Sequence, residues 1–108
     1  MTDEDYMRLA IAAGQRTRGA TGSNPAVGCV IVTRGTVVAV TPTAEGGRPH
    51  AETQALDMAG DAAKGATAYV TLEPCSHHGR TPPCADALIS SGIGRVVTAI
   101  VDPDPRVS

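Results

Sequence analysis

Apolar positions recur at helical spacing in three stretches and cluster into short runs in four others. In TDEDYMRLAIAAGQRTRG, residues 2–19, Tyr6, Leu9, Ala10 and Ala13 fall on one helical face. Thr2 is placed to cap that helix, with Asp5 three residues on as its capping-box partner, and Gly19 is a stop. TGSNP reads as a loop, since Gly22, Asn24 and Pro25 are turn formers. AVGCVIV, residues 26–32, is a continuous apolar run of the kind found in a strand buried on both faces. TRGT then turns the chain, and VVAV pairs back as a hairpin. After the loop TPTAEGGR, Pro49 suits the first position of a helix. That helix runs through PHAETQALDMA, with Ala51, Ala55, Leu56 and Ala59 inward and Gly60 at its end. ATAYVTL is a third strand, PPCADALISSG a third helix ending at Gly92, and RVVTAIV a fourth strand. The order α-β-β-α-β-α-β predicts an α/β domain over residues 1–108, its sheet partly parallel and sandwiched by helices.

Composition narrows what such a domain binds. With 9 basic and 11 acidic side chains, the chain carries no sign of the cationic surface that phosphate backbones require. Tyr6 and Tyr69 are its two aromatics, too few for a base-stacking platform. The expected partner is a small molecule, with no nucleic acid and no membrane. A domain of 108 residues buries only about 60–70% of its unfolded surface, so a metal or a homo-oligomeric partner helps it. The N-terminus MTDEDYMRL is acidic and no apolar signal segment follows. No run approaches the ~20 apolar residues that span a bilayer. The expected location is the cytoplasm, where disulfides are rare. Three cysteines there point to metal or catalysis at least as strongly as to a bridge.

LEPCSHHGRTPPC, residues 72–84, concentrates the reactive groups. Two predicted helices carry a candidate ligand near their start, His50 and Cys84, and Cys75 lies just past a predicted strand. Catalytic zinc takes three protein ligands and leaves a fourth place to water. One imidazole and two thiolates fit that count, and helix N-termini favour thiolates. Glu52, two residues after His50, can stand near the ion without binding it. A carboxylate there suits hydrolysis of an amidine-like C–NH2 bond, because it can pass a proton from water to the ring nitrogen and on to the amine.

Zinc nucleobase deaminases carry H-x-E…P-C-x-x-C. Here HAE opens the pattern, but eight residues separate Cys75 from Cys84. NPAVGCVIV, GGRPHAETQAL, GATAYVTLEPCSHHGRTPPCADALI and DPDP together resemble the diaminohydroxyphosphoribosylaminopyrimidine deaminase domain of riboflavin biosynthesis, across nearly the whole chain. The resemblance implies a three-layer α-β-α cytidine deaminase-like sheet. It implies zinc held by His50, Cys75 and Cys84, and Glu52 as the proton shuttle. It implies substrate contacts from Asn24, the backbone of Ala51, His77, Arg80 and Thr81. Arg80 is the expected phosphate partner, since a guanidinium fork suits that anion. The bulge between the cysteines thus carries polar groups toward the sugar phosphate. Asp102 and Asp104 are expected at the border of the pocket. Relatives usually continue with another helix and strand and then a reductase domain; neither is expected within these residues.

Plainer readings stand beside these. Cys29 in its apolar strand reads as a buried small hydrophobe. Cys75 and Cys84 have a disulfide as their alternative, and His77 or His78 a place as fourth ligand in a structural zinc site. Asn24 before Pro25 can be only a turn, Arg80 only solvated, and Asp102 and Asp104 only turn formers. Rival functions are deamination of cytosine, guanine or tRNA adenosine, and a non-catalytic zinc-stabilised module.

Overall fold

Local chemistry sets the first helix. In the computed structural model, which describes residues 1–72 and 85–101, helix α1 spans Asp3–Gln15. The Thr2 hydroxyl accepts from the Asp5 N–H, and the Asp5 carboxylate accepts from the Thr2 N–H at 2.8 Å, closing the predicted capping box. Its inward residues are Tyr6, Met7, Ala10, Ala13 and Gly14. Leu9, expected inside, is exposed, and Met7 takes its place. The buried stripe is rotated because Ala10 and Gly14 press directly on strand backbone: a Cβ on Gly28 would lie 1.7 Å from the Ala10 carbonyl oxygen.

Strands β1 (Gly28–Thr33) and β2 (Thr36–Pro42) form the predicted antiparallel hairpin. Arg34 and Gly35 between them have φ of 50° and 79°, as two-residue hairpin turns require. Helix α2 (Ala51–Ala59) follows, then β3 (Thr67–Leu72), α3 (Ala85–Ser90) and β4 (Arg95–Ile100). The sheet order is β2-β1-β3-β4; β1 is antiparallel to both neighbours, and β3 and β4 are parallel. One face packs on α1 through Tyr6, Met7, Ala10, Val30, Val32 and Tyr69. The other packs on α2 and α3 through Cys29, Ile31, Ala51, Ala55, Val70 and Leu88. This is the expected three-layer α-β-α sandwich, and Cys29 is buried within it as expected. Complete burial of Ile31 or Val30 contributes roughly 1.5–3 kcal/mol each.

Two further details, in β2 and at the start of α2, differ from the sequence pattern. Ile31 pairs with Ala39 but Val32 pairs with Val37, so Val38 is one residue too many: a bulge. Val37 and Val40 therefore pack with the α1 layer, while Val38 and Ala39 pack with the α2 layer. Without that bulge, Thr41 would share the α1 side with Val37. The second difference is the start of α2. Pro49 is not its first residue; His50 is the N-cap, in extended backbone with ψ 158°. The Pro49 carbonyl turns away to accept from the Ala44 N–H at 3.1 Å and from Gln54 Nε2 at 3.0 Å. Gly60 ends α2 with φ 56°, as expected. No helix among the described residues is long and apolar enough to cross a membrane.

Candidate active site at one end of the sheet

The topology gathers the predicted site segments. Thr41 of β2 and Val70 of β3 both pair with Cys29 near the start of β1. Leu72 at the end of β3 pairs with Ile100 at the end of β4. The start of β1 and the ends of β2, β3 and β4 therefore share one end of the sheet. Asn24 precedes β1, and His50 and Glu52 follow β2. Residues 73–84 leave from the end of β3, and residues 102–108 from the end of β4. Open α/β sheets place their ligand sites outside the carboxyl ends of parallel strands, and β2, β3 and β4 all end here.

Each described residue is held by identifiable bonds. Gly46 and Gly47, with φ of 84° and 93°, bend the chain ahead of His50. The Gly46 N–H donates to the Ala20 carbonyl at 2.7 Å, and Asn24 Nδ2 donates to the Gly47 carbonyl at 2.9 Å. The loop bearing Asn24 is thereby clasped to the loop leading into His50. A Cβ on Gly47 would stand 2.5 Å from the Thr21 carbonyl and 2.8 Å from Asn24 Nδ2, so only glycine permits the clasp. Thr43, almost fully buried, fixes the other side. Its hydroxyl accepts from the Val27 N–H at 2.9 Å and donates to the Pro25 carbonyl at 3.0 Å.

Helix α2 begins with its chemistry facing inward. The His50 side chain does not cap the helix. Ala51 is fully buried, and its carbonyl accepts from Thr41 Oγ1 at 2.6 Å; its N–H belongs to the first turn, which has no intrahelical acceptor for it. Glu52 is in that turn and only 3% exposed. A carboxyl group withdrawn from water needs hydrogen bonds, an opposite charge or a proton.

Of the predicted site residues, the fold thus brings Asn24, His50, Ala51 and Glu52 to one end of the sheet. Cys75, His77, His78, Arg80, Thr81, Cys84, Asp102 and Asp104 lie outside the described residues. Among the described residues no group of three His, Cys, Asp or Glu side chains is arranged to hold a metal ion. Sequence reasoning missed Thr41, Thr43 and Gln54, whose side chains tie these segments together. The available signal was a pair of threonines, in TPT, directly after an apolar strand.

Comparison with known proteins identifies the family. The family model described as the cytidine and deoxycytidylate deaminase zinc-binding region matches residues 1–100. The chain is 59% identical over 108 residues to the riboflavin biosynthesis protein RibD of Escherichia coli, covering all of this chain and 29% of that protein. It is 51% identical over 108 residues to the diaminohydroxyphosphoribosylamino-pyrimidine deaminase of Buchnera aphidicola from Acyrthosiphon pisum, covering 74% of that protein. The RibD structure of Acinetobacter baumannii superposes with a TM-score of 0.78 at 49% identity, over 96% of this chain and 29% of that one.

Proposed function

Because the chain belongs to the cytidine and deoxycytidylate deaminase zinc-binding family, we propose that it hydrolytically deaminates diaminohydroxyphosphoribosylaminopyrimidine, giving the ribosylamino-uracil phosphate and ammonia. The observation that carries this reading is the shared sheet end, where Asn24, His50 and the buried Glu52 lie beside the end of β3, the strand that precedes Cys75 and Cys84 in the sequence. The RibD and deaminase relatives, by name, supply the substrate class.

His50, Cys75 and Cys84 are the residues that would hold zinc. The donor set fits: the imidazole of His50 at the N-cap position of α2, and two thiols on the segment joining β3 to α3, whose Leu88 shares a core with Ala51. When bound, zinc supplies the acidification that makes water a nucleophile near neutral pH. The remaining work belongs to side chains and backbone. Glu52 takes a proton from water as its oxygen bonds to the amidine carbon and delivers it to the ring nitrogen; it then takes the remaining proton from the new hydroxyl and passes it to the departing amine. The C–N bond breaks, a C=O bond remains, and ammonia leaves. Asn24 and the Ala51 N–H contact the pyrimidine edge, which mixes donors and acceptors. His77, Arg80 and Thr81 approach the sugar phosphate, with Arg80 on the phosphate. The reading includes a cytoplasmic location and self-association, in keeping with the small size of the domain.

The test is zinc content together with ammonia release on the pathway pyrimidine, with cytosine, guanine and tRNA as comparison substrates. Glu52→Gln should keep zinc and lose about 10²–10⁴ in turnover. Undiminished turnover in that variant, or a preference for another substrate, refutes the proposal.

A further inference from the structure

Gln54 lies one helical turn beyond His50 and makes three hydrogen bonds to backbone. Its N–H donates to the His50 carbonyl at 3.2 Å. Its Nε2 donates to the Pro49 carbonyl at 3.0 Å and to the Pro42 carbonyl at 2.6 Å. Both side-chain partners are acceptors, so the amide orientation is fixed and both hydrogens are engaged.

The two peptide planes flanking the His50 α-carbon carry the Pro49 and His50 carbonyls. One residue therefore grips both planes, and together they set the direction of the His50 side chain. The third bond ties this grip to Pro42, the last residue of β2. Thr41 secures the next carbonyl, that of Ala51, at 2.6 Å. It reaches that carbonyl from the α2 side of the sheet because of the bulge at Val38. The carbonyls of residues 49 and 51 are thus tied by side chains to the end of one strand, while that of residue 50 accepts the first bond of the helix.

We propose that Gln54 is a positioning residue: it aims the imidazole of His50, and through the same turn Glu52, without touching substrate or metal. The proposal rests on the deaminase reading above. Supporting partners of metal ligands typically change metal affinity or activity 10–100-fold when removed. The experiment measures zinc affinity by chelator competition, the melting temperature of the metal-free chain, and ammonia release for three proteins. Gln54→Met removes the donors at similar length; Gln54→Lys restores donors to the two carbonyls. The expected result is zinc binding about 10–100-fold weaker in Gln54→Met, recovery toward wild type in Gln54→Lys, and similar metal-free melting temperatures throughout. Wild-type zinc affinity in Gln54→Met overturns the proposal. So does equal weakening in both variants accompanied by a lowered metal-free melting temperature, which marks a purely structural role. If the unaltered chain neither binds zinc nor releases ammonia, the deaminase reading itself fails, whatever the Gln54 variants do.

Discussion

Replacing Gly28 by alanine probes the contact on which the three-layer arrangement depends. The added Cβ would meet the Ala10 carbonyl oxygen at 1.7 Å, the Ala10 carbonyl carbon at 2.7 Å and the Gly14 nitrogen at 2.8 Å. All three are backbone atoms, so no change of rotamer relieves the overlap. Restoring a separation of at least 3.0 Å from 1.7 Å moves α1 away by about 1.3 Å. A radial gap of about 0.5–1 Å already forfeits a quarter to a half of a dispersion contact, and Tyr6, Met7 and Ala10 would all lose contacts to Val30, Val32 and Tyr69. Overpacking costs typically about 1–3 kcal/mol, and a backbone-on-backbone clash belongs at the upper end. The reduced entropy of the unfolded alanine chain returns only about 0.4–1 kcal/mol.

At about 4–8 °C per kcal/mol for a small domain, the net cost of about 2–2.6 kcal/mol lowers the melting temperature by about 8–21 °C. Thermal unfolding followed by circular dichroism measures it. Gly14→Ala is the internal comparison. Its Cβ meets the Gly28 nitrogen at 2.9 Å and the Ala26 carbonyl at 3.2 Å, a milder overlap, and alanine gains up to about 1 kcal/mol of helix propensity over glycine. The expected order is wild type, then Gly14→Ala, then Gly28→Ala far below. A Gly28→Ala protein melting close to wild type, or above Gly14→Ala, refutes the reasoning.

Thr43→Val should cost about 1–3 kcal/mol, because it strands the buried Val27 N–H; chemical denaturation measures the loss, and an unchanged midpoint contradicts it. Asp3 accepts from Arg95 and from Tyr69 Oη, the latter at 2.6 Å, and the Arg95 hydrogen bond, then that from Tyr69, hold its carboxyl down from 3.8 to about 2. A carboxyl depressed in the folded state adds stability above its unfolded pKa and loses it as pH falls through the folded one. Wild type should therefore lose stability between pH 3.8 and about 2 faster than Asp3→Asn, and parallel acid-unfolding curves would count against this clamp.

How much was legible in the sequence depends on the range of the interactions. The capping box of Thr2 and Asp5, the Arg34–Gly35 turn and the Gly60 stop are decided within a few residues, and all three appear as the pattern predicts. The start of α2 is different. The fixed φ of proline suits the first helical position and an extended loop equally, and what decides is a pair of bonds to the Pro49 carbonyl, from the Ala44 N–H and from Gln54. The Val38 bulge was hidden because VVAV is apolar throughout and carries no alternation to break. The same limit applies at the site. His50 and Glu52 are neighbours in sequence, so HAE announced them. Thr41, Thr43 and Gln54 act on carbonyls or N–H groups up to 18 residues away, and no local pattern records that.

Strand ends pose a particular problem, because their carbonyls and N–H groups have passed the last ladder bond and still need partners. Here Thr43 completes the bonding of Pro25 and Val27, Thr41 that of Ala51, and Gln54 that of Pro42 and Pro49. The bonds that close the end of the sheet are therefore the bonds that hold Asn24, His50 and Glu52 in register with one another. A side chain removed from this set loosens backbone and site together, whereas Gly28→Ala disturbs the opposite layer first. The two kinds of variant should separate in a plot of zinc affinity against metal-free stability: Gln54→Met falls along the affinity axis, Gly28→Ala along the stability axis, and Thr43→Val along both. If all three fell on one line, the end of the sheet would have no positioning role distinct from its contribution to folding.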